Sequence, residues 1–176
     1  MPCRPLRAVL LIATVVAAAG CSPALDWREF VPEGTDVTVN FPCRPDRVAR
    51  KVMLAGAATQ MQMLVCSAGN ATFALAFVDV DDPARVGDTL AELRRLAVAN
   101  VQGATPETLP LQVRGMTPNP GAARLNVSGR LPDGAAVRAH AAFFVRGRRV
   151  YQASVIGSQP APDAVEPFMA GLKFPA

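Results

Sequence analysis

One long run of three- and four-residue apolar spacing, Val86, Leu90, Leu93, Ala97 and Val101, lies between segments whose apolar residues alternate with period two. That contrast constrains the fold more than any other feature. A 3.6-residue period buries one stripe of a helix, whereas a period of two buries one face of a strand. Asp82 suits an N-cap, Pro83 the first helical position and Gly103 a stop, so the spacing predicts a helix over 83–102.

Before this helix, Asp36-Val37-Thr38-Val39-Asn40-Phe41 alternates and ends at Pro42, as a half-buried strand does. Residues 50–54 form a second candidate, approached through the arginine-rich stretch 44–50. Residues 60–66 alternate and then turn apolar, and Ala68-Gly69-Asn70 supplies a turn before a strand over 72–80. After the helix, four prolines and two glycines between Thr105 and Gly121 predict irregular chain with a short strand at 111–114. Strands follow at 123–131, 135–145 and 150–156. The first pair is joined by Leu131-Pro132-Asp133-Gly134, whose residues fit a tight turn. Val165, Phe168, Met169 and Leu172 share a helical face, and Pro167 predicts a late start, since proline is tolerated only in a first turn. Strands, one long helix, more strands and a short terminal helix, without βα alternation or internal repeat, define an α+β domain on a mostly antiparallel sheet.

The N-terminus carries an address. Arg4 and Arg7 precede an apolar run from Ala8 to Ala19, broken only by Thr14, and small residues lead to Cys21. This pattern reads as a cleaved export signal. The run is shorter than the roughly twenty residues a bilayer-crossing helix needs, which makes a permanent transmembrane anchor the weaker alternative. Ala18-Ala19-Gly20-Cys21 resembles the lipobox of bacterial lipoproteins, although that family more often has Leu where Ala18 stands. The resemblance implies cleavage between Gly20 and Cys21 and a diacylglycerol thioether, with palmitate-type chains, on Cys21. It also implies outer-membrane sorting facing the periplasm, because Ser22 rather than Asp follows the cysteine. A buried methylene contributes about 0.8 kcal/mol, so two or three acyl chains hold a small domain firmly. A plain secretory signal with a chance cysteine is the competing reading.

The expected organisation is a signal over 1–20, a tether over 21–33 whose Trp27 and Phe30 dock on the body, and one globular unit over 34–176. Of the 18 basic residues, Arg4 and Arg7 leave with the signal, so 16 face 14 acidic ones and the pull toward nucleic acid is weak. Arg146-Gly147-Arg148-Arg149 is the densest basic spot and reads as a solvated hairpin turn, with an anion or headgroup contact as the alternative. Cys3 also leaves with the signal. Cys43 and Cys66 remain in an oxidising compartment, where a disulfide is the natural outcome and free thiols the alternative. Closing a loop of about 24 residues would stabilise the fold by roughly 3 kcal/mol.

Catalytic signatures are sparse. His140 is the only histidine and shares a strand face with Arg138, which predicts an outward side chain. No Gly-x-Ser-x-Gly elbow offers it a nucleophile. Asp79, Asp81 and Asp82 cluster, but they lack the offsets of a calcium loop, and Asp82 has a capping role. Met53, Met61 and Met63 read as core residues or as a soft groove. Neither a Gly-x-Gly-x-x-Gly nor a Walker-type loop occurs, and Cys43 and Cys66 without a neighbouring histidine make at best half a zinc site, so no cofactor and no metal are expected. The element order and the Phe41-Pro42 strand end resemble the PsbP-like sandwich of small exported proteins. Phe41-Pro42-Cys43 and Leu131-Pro132-Asp133-Gly134 resemble uncharacterised proteobacterial lipoproteins, a kinship that implies no known activity. The expected function is a non-enzymatic envelope lipoprotein that binds another envelope protein or a small apolar ligand. An enzyme or hydrolase accessory in the periplasm is the alternative.

Overall fold

Strand β5, Ala71–Asp79, is buried on both faces toward its C-terminal half, with Leu75, Phe77 and Val78 at 2% exposure or less, and this places a layer above and a layer below it. The computed structural model describes residues 25–175. Before β5 come β1 (Arg28–Phe30), β2 (Val39–Phe41), β3 (Asp46–Leu54) and β4 (Ala57–Ala68). After it come α1 (Val86–Asn100), β6 (Glu107–Leu109), β7 (Ala123–Arg130), β8 (Ala136–Arg146), β9 (Arg149–Gly157) and α2 (Pro162–Ala170). Strands β3 to β9 form one sheet in the order β3-β4-β5-β9-β8-β7-β6, with every neighbouring pair antiparallel, and β1 pairs with β2 in a small second sheet. This is the α+β architecture on an antiparallel sheet.

Each helix takes one face. Helix α1 buries Val86, Leu90 and Leu93 against Leu54, Val78, Leu125, Phe143 and Val150. Asp82 caps the short 3₁₀ turn Pro83–Arg85 that leads into it, accepting from the Ala84 N–H at 2.9 Å. The helix ends at Asn100, and the left-handed residue that follows is Gln102 (φ 46°), not Gly103. Gly103 is needed for another reason: a Cβ there would stand 2.3 Å from Val127 Cγ2.

The other face carries α2, the β1–β2 pair and the C-terminal segment. Phe168 of α2 packs edge-on against Phe41 and Phe73 with centroids 5.3 and 5.5 Å away. Helix α2 starts at Pro162, so Pro167 lies inside it rather than in its first turn. The ring removes one backbone donor, a loss set against the burial of Val165, Phe168 and Met169. Phe174, beyond the helix, is fully buried beside Phe144 and Tyr151.

Other expectations shift. Strand β3 extends back to Asp46, taking in most of the arginine-rich approach. The strand expected at 111–114 is absent; Arg114 makes one isolated bridge to Lys173, and the short strand lies instead at Glu107–Leu109. The four prolines explain the irregularity, because each removes a ladder donor. Within the 21–33 tether, Trp27 and Phe30 dock on the body as their apolar bulk predicts. Trp27 packs edge-on against Phe73 at 6.0 Å, Phe30 packs against Phe41 at 5.9 Å, and the Asp26 N–H donates to the Pro42 carbonyl at 2.8 Å.

Cys43 and Cys66 are disulfide-bonded with Cα atoms 6.0 Å apart, joining the β2 end to the large sheet. No helix among the described residues is long and apolar enough to cross a membrane.

Candidate functional site

The antiparallel register lines up residues of six strands in transverse rows. One row on the α2 face runs Cys66, Phe73, Val155, His140, Asn126, Glu107 across β4, β5, β9, β8, β7 and β6. Its first three residues lie under α2 and the β1–β2 pair; its last three are polar and uncovered. Between α2 and this uncovered part lies a cleft of about 590 Å³, lined among others by Leu109, Arg124, Asn126, Arg138, His140 and Val165. A second hollow of about 270 Å³ shares Asn126, Arg138 and His140 and adds Glu107 and Ser128.

Two polar networks build the cleft. The Asn126 side-chain nitrogen donates to Glu107 Oε2 at 3.0 Å, and its Oδ1 meets His140 Nδ1 at 2.8 Å. An amide whose nitrogen serves a carboxylate must offer its oxygen to the imidazole, so neutral His140 carries its proton on Nδ1 and keeps the lone pair on Nε2. Arg124 grips Glu166 of α2 with a bidentate pair at 3.0 and 2.5 Å and lashes the helix to β7. Burial, then the charge of Arg124, holds the His140 imidazole below its usual value, with Glu166 partly opposing and Arg138 adding to the shift. The hydrogen bonds from Arg124 hold the Glu166 carboxyl below the usual carboxylate range.

His140 is therefore not simply outward. It is half-buried on the uncovered part of a face whose other part is core. Arg138, by contrast, is exposed, and among the described residues its side chain makes no hydrogen bond or ion pair. Among the described residues the only side-chain hydrogen bond of His140 is to Asn126, so no hydroxyl or thiol is drawn up to it as a nucleophile.

The other sequence candidates fall elsewhere. Asp79 pairs with Arg149 through bonds of 2.7 and 2.8 Å, at the far end of β5 from the His140 row. Six residues along the strand, about 20 Å, separate Asp79 from Phe73 in that row, so the aspartates and the histidine do not converge. Among the described residues no three His, Cys, Asp or Glu side chains gather in a way that could hold a metal. Arg146 to Arg149 do form a hairpin turn, but the turn is not free in solvent. Arg149 stacks over Phe77 at 5.2 Å, Arg146 over Phe174 at 5.3 Å, and Arg148 donates to the Asp81 carbonyl at 2.9 Å. Met61 packs beside the α1 core, whereas Met53 is 63% exposed. Cys21 and the signal lie outside the described residues.

Arg124, Asn126, Glu107 and Glu166 are the members of the site that period and motif did not single out. The usable signal was the turn at Leu131–Gly134, where Gly134 takes φ 86° and its N–H donates to the Leu131 carbonyl at 2.8 Å. That turn fixes the β7–β8 register and hence pairs Asn126 with His140. No protein-family model matches the chain, and no curated protein matches it.

Proposed function

We propose that the chain is a bacterial envelope lipoprotein, held on the periplasmic side of the outer membrane by acyl chains on Cys21, and that its body is a non-enzymatic binding module. The observation that carries the binding reading is the cleft at His140. Its volume of about 590 Å³ falls in the range of ligand sites. Its walls are fixed in advance by the Asn126–His140 and Arg124–Glu166 contacts. Preorganised polar groups without an adjacent nucleophile suit recognition better than turnover. A helix on each face of one antiparallel sheet, with Phe41-Pro42 closing an early strand, favours a PsbP-like sandwich.

Mass spectrometry of the N-terminal peptide tests the anchor: a diacylglyceryl Cys21 is expected, and an intact Met1 or an unmodified N-terminus removes it. Affinity capture from detergent-solubilised envelopes, comparing native protein with Cys21→Ser, tests whether partners depend on attachment.

The free Nε2 of His140 also supports an accessory enzymatic role, since a general base needs such a lone pair. Complementation of a knockout by His140→Ala combined with Asp81→Asn tests this second role: full rescue leaves the enzymatic reading without its likeliest participants.

A further inference from the structure

We propose that the hollow around His140 binds a zwitterionic group, its anionic end on Arg138 and its ammonium end on Glu107. The proposal deepens the binding-module reading and rests on it. Glu107 and Arg138 line the same hollow, Glu107 opposite Asn126 on β6 and Arg138 two residues along β8 from His140. Both are exposed, and among the described residues neither forms an ion pair. Glu107 uses only Oε2, on the neutral Asn126 amide, so its charge is not cancelled there. The other two charges of the cleft, Arg124 and Glu166, cancel each other.

Register sets the span. Glu107 lies two strand spacings from β8, about 10 Å, and Arg138 lies two residues along β8 from His140, about 7 Å, so the two Cα atoms are about 12 Å apart. Long side chains at that separation bracket a molecule bearing both charges. A lone anion on Arg138 would face the Glu107 carboxylate, and a lone cation on Glu107 would face the Arg138 guanidinium. A molecule carrying both satisfies each and still offers a hydrogen-bond donor to His140 Nε2.

Position favours a headgroup as its source. Ala71, Gly157 and Arg138 form one row at the sheet end where Leu25 meets the Gly69 turn. Arg138 is two strand spacings, about 10 Å, from Ala71. Cys21 precedes Leu25 by four residues, a reach of at most about 14 Å. Attachment through Cys21 therefore turns this end of the hollow toward the bilayer surface.

His140 is the only histidine, so full-length protein labelled in its histidine ring gives a single reporter for magnetic resonance titration. The probes are glycerophosphoethanolamine and β-alanine as zwitterions, and inorganic phosphate and ethanolamine as their halves. A saturable shift is expected with a zwitterion at concentrations about tenfold below those needed for either half. Arg138→Ala and Glu107→Gln should each remove that advantage while thermal unfolding stays unchanged. Preference for glycerophosphoethanolamine assigns a lipid headgroup, and preference for β-alanine a free amino-carboxylate. The proposal is overturned if phosphate or ethanolamine alone matches the zwitterions, if no zwitterion gives a saturable shift, or if both folded variants bind as the native chain does. Its failure is separate from that of the anchor: an unmodified Cys21 with zwitterion binding intact removes the lipoprotein reading and leaves the site.

Discussion

The α2 face of the sheet divides into two halves on the same hydrogen-bond ladder. Under α2, rows from β4, β5 and β9 present Leu64, Cys66, Phe73, Leu75 and Val155, all at 8% exposure or less. At the edge of α2 the same rows reach Arg124, which is bonded to Glu166 of the helix, and beyond it they present His140, Asn126 and Glu107. Backbone geometry is shared, so it is the side chains that decide where the helix docks and where a cleft stays open. Apolar rows gain about 25 cal/mol per Å² by being covered, whereas polar rows would lose hydration without full compensation.

The largest test of this contrast is Phe168→Ala. It empties the space between Phe41 and Phe73 and should cost about 3–5 kcal/mol in urea unfolding. A loss below about 1 kcal/mol would mean that α2 does not hold the covered half. Next, replacing Cys43 and Cys66 together by Ser should cost roughly 3 kcal/mol. Equal denaturation midpoints for oxidised and reduced native protein would refute a stabilising role for that staple.

The uncovered half should respond more gently. Asn126→Ala removes the partner of His140 Nδ1 and should cost about 1 kcal/mol. In ring-labelled protein it should also release the Nδ1–H tautomer, read from the two ring nitrogen shifts. An unchanged tautomer would remove Asn126 as the positioning residue.

The smallest effect is a pH slope. The folded protein holds the His140 imidazole below its ordinary value, mainly by burial. Between that lowered value and about 6.5 the unfolded chain therefore binds the extra proton and the folded one does not. His140 thus subtracts stability as pH falls through this window and has no such effect above it. His140→Gln should flatten the dependence of urea midpoints there, and an unaltered slope would place the titration elsewhere.

Much of this arrangement was legible in the residues. The stripe from Val86 to Leu93 found α1 because burial on one face demands that spacing. The Pro132-Asp133-Gly134 turn found the β7–β8 hairpin, with Asp133 Oδ1 accepting from the Ala135 N–H at 3.0 Å. Pro167 misled because propensity is local, whereas Phe168 and Met169 gain from tertiary contacts that a local rule does not contain. The outward reading of His140 had the correct face, since it does share that face with Arg138. What alternation could not express is that one sheet face can be core at one end of a row and cleft at the other.

The amino-acid order by itself determined the long helix α1, the alternating strands on either side of it and the β7–β8 turn, since each follows from periodicity or turn chemistry over a few residues. The insertion of β9 between β5 and β8, the docking of α2 over only part of the sheet and the meeting of Glu107, Asn126 and His140 were decided by the tertiary structure. Those outcomes depend on which apolar surfaces find each other across long stretches of chain, a competition of burial against desolvation that no local window contains.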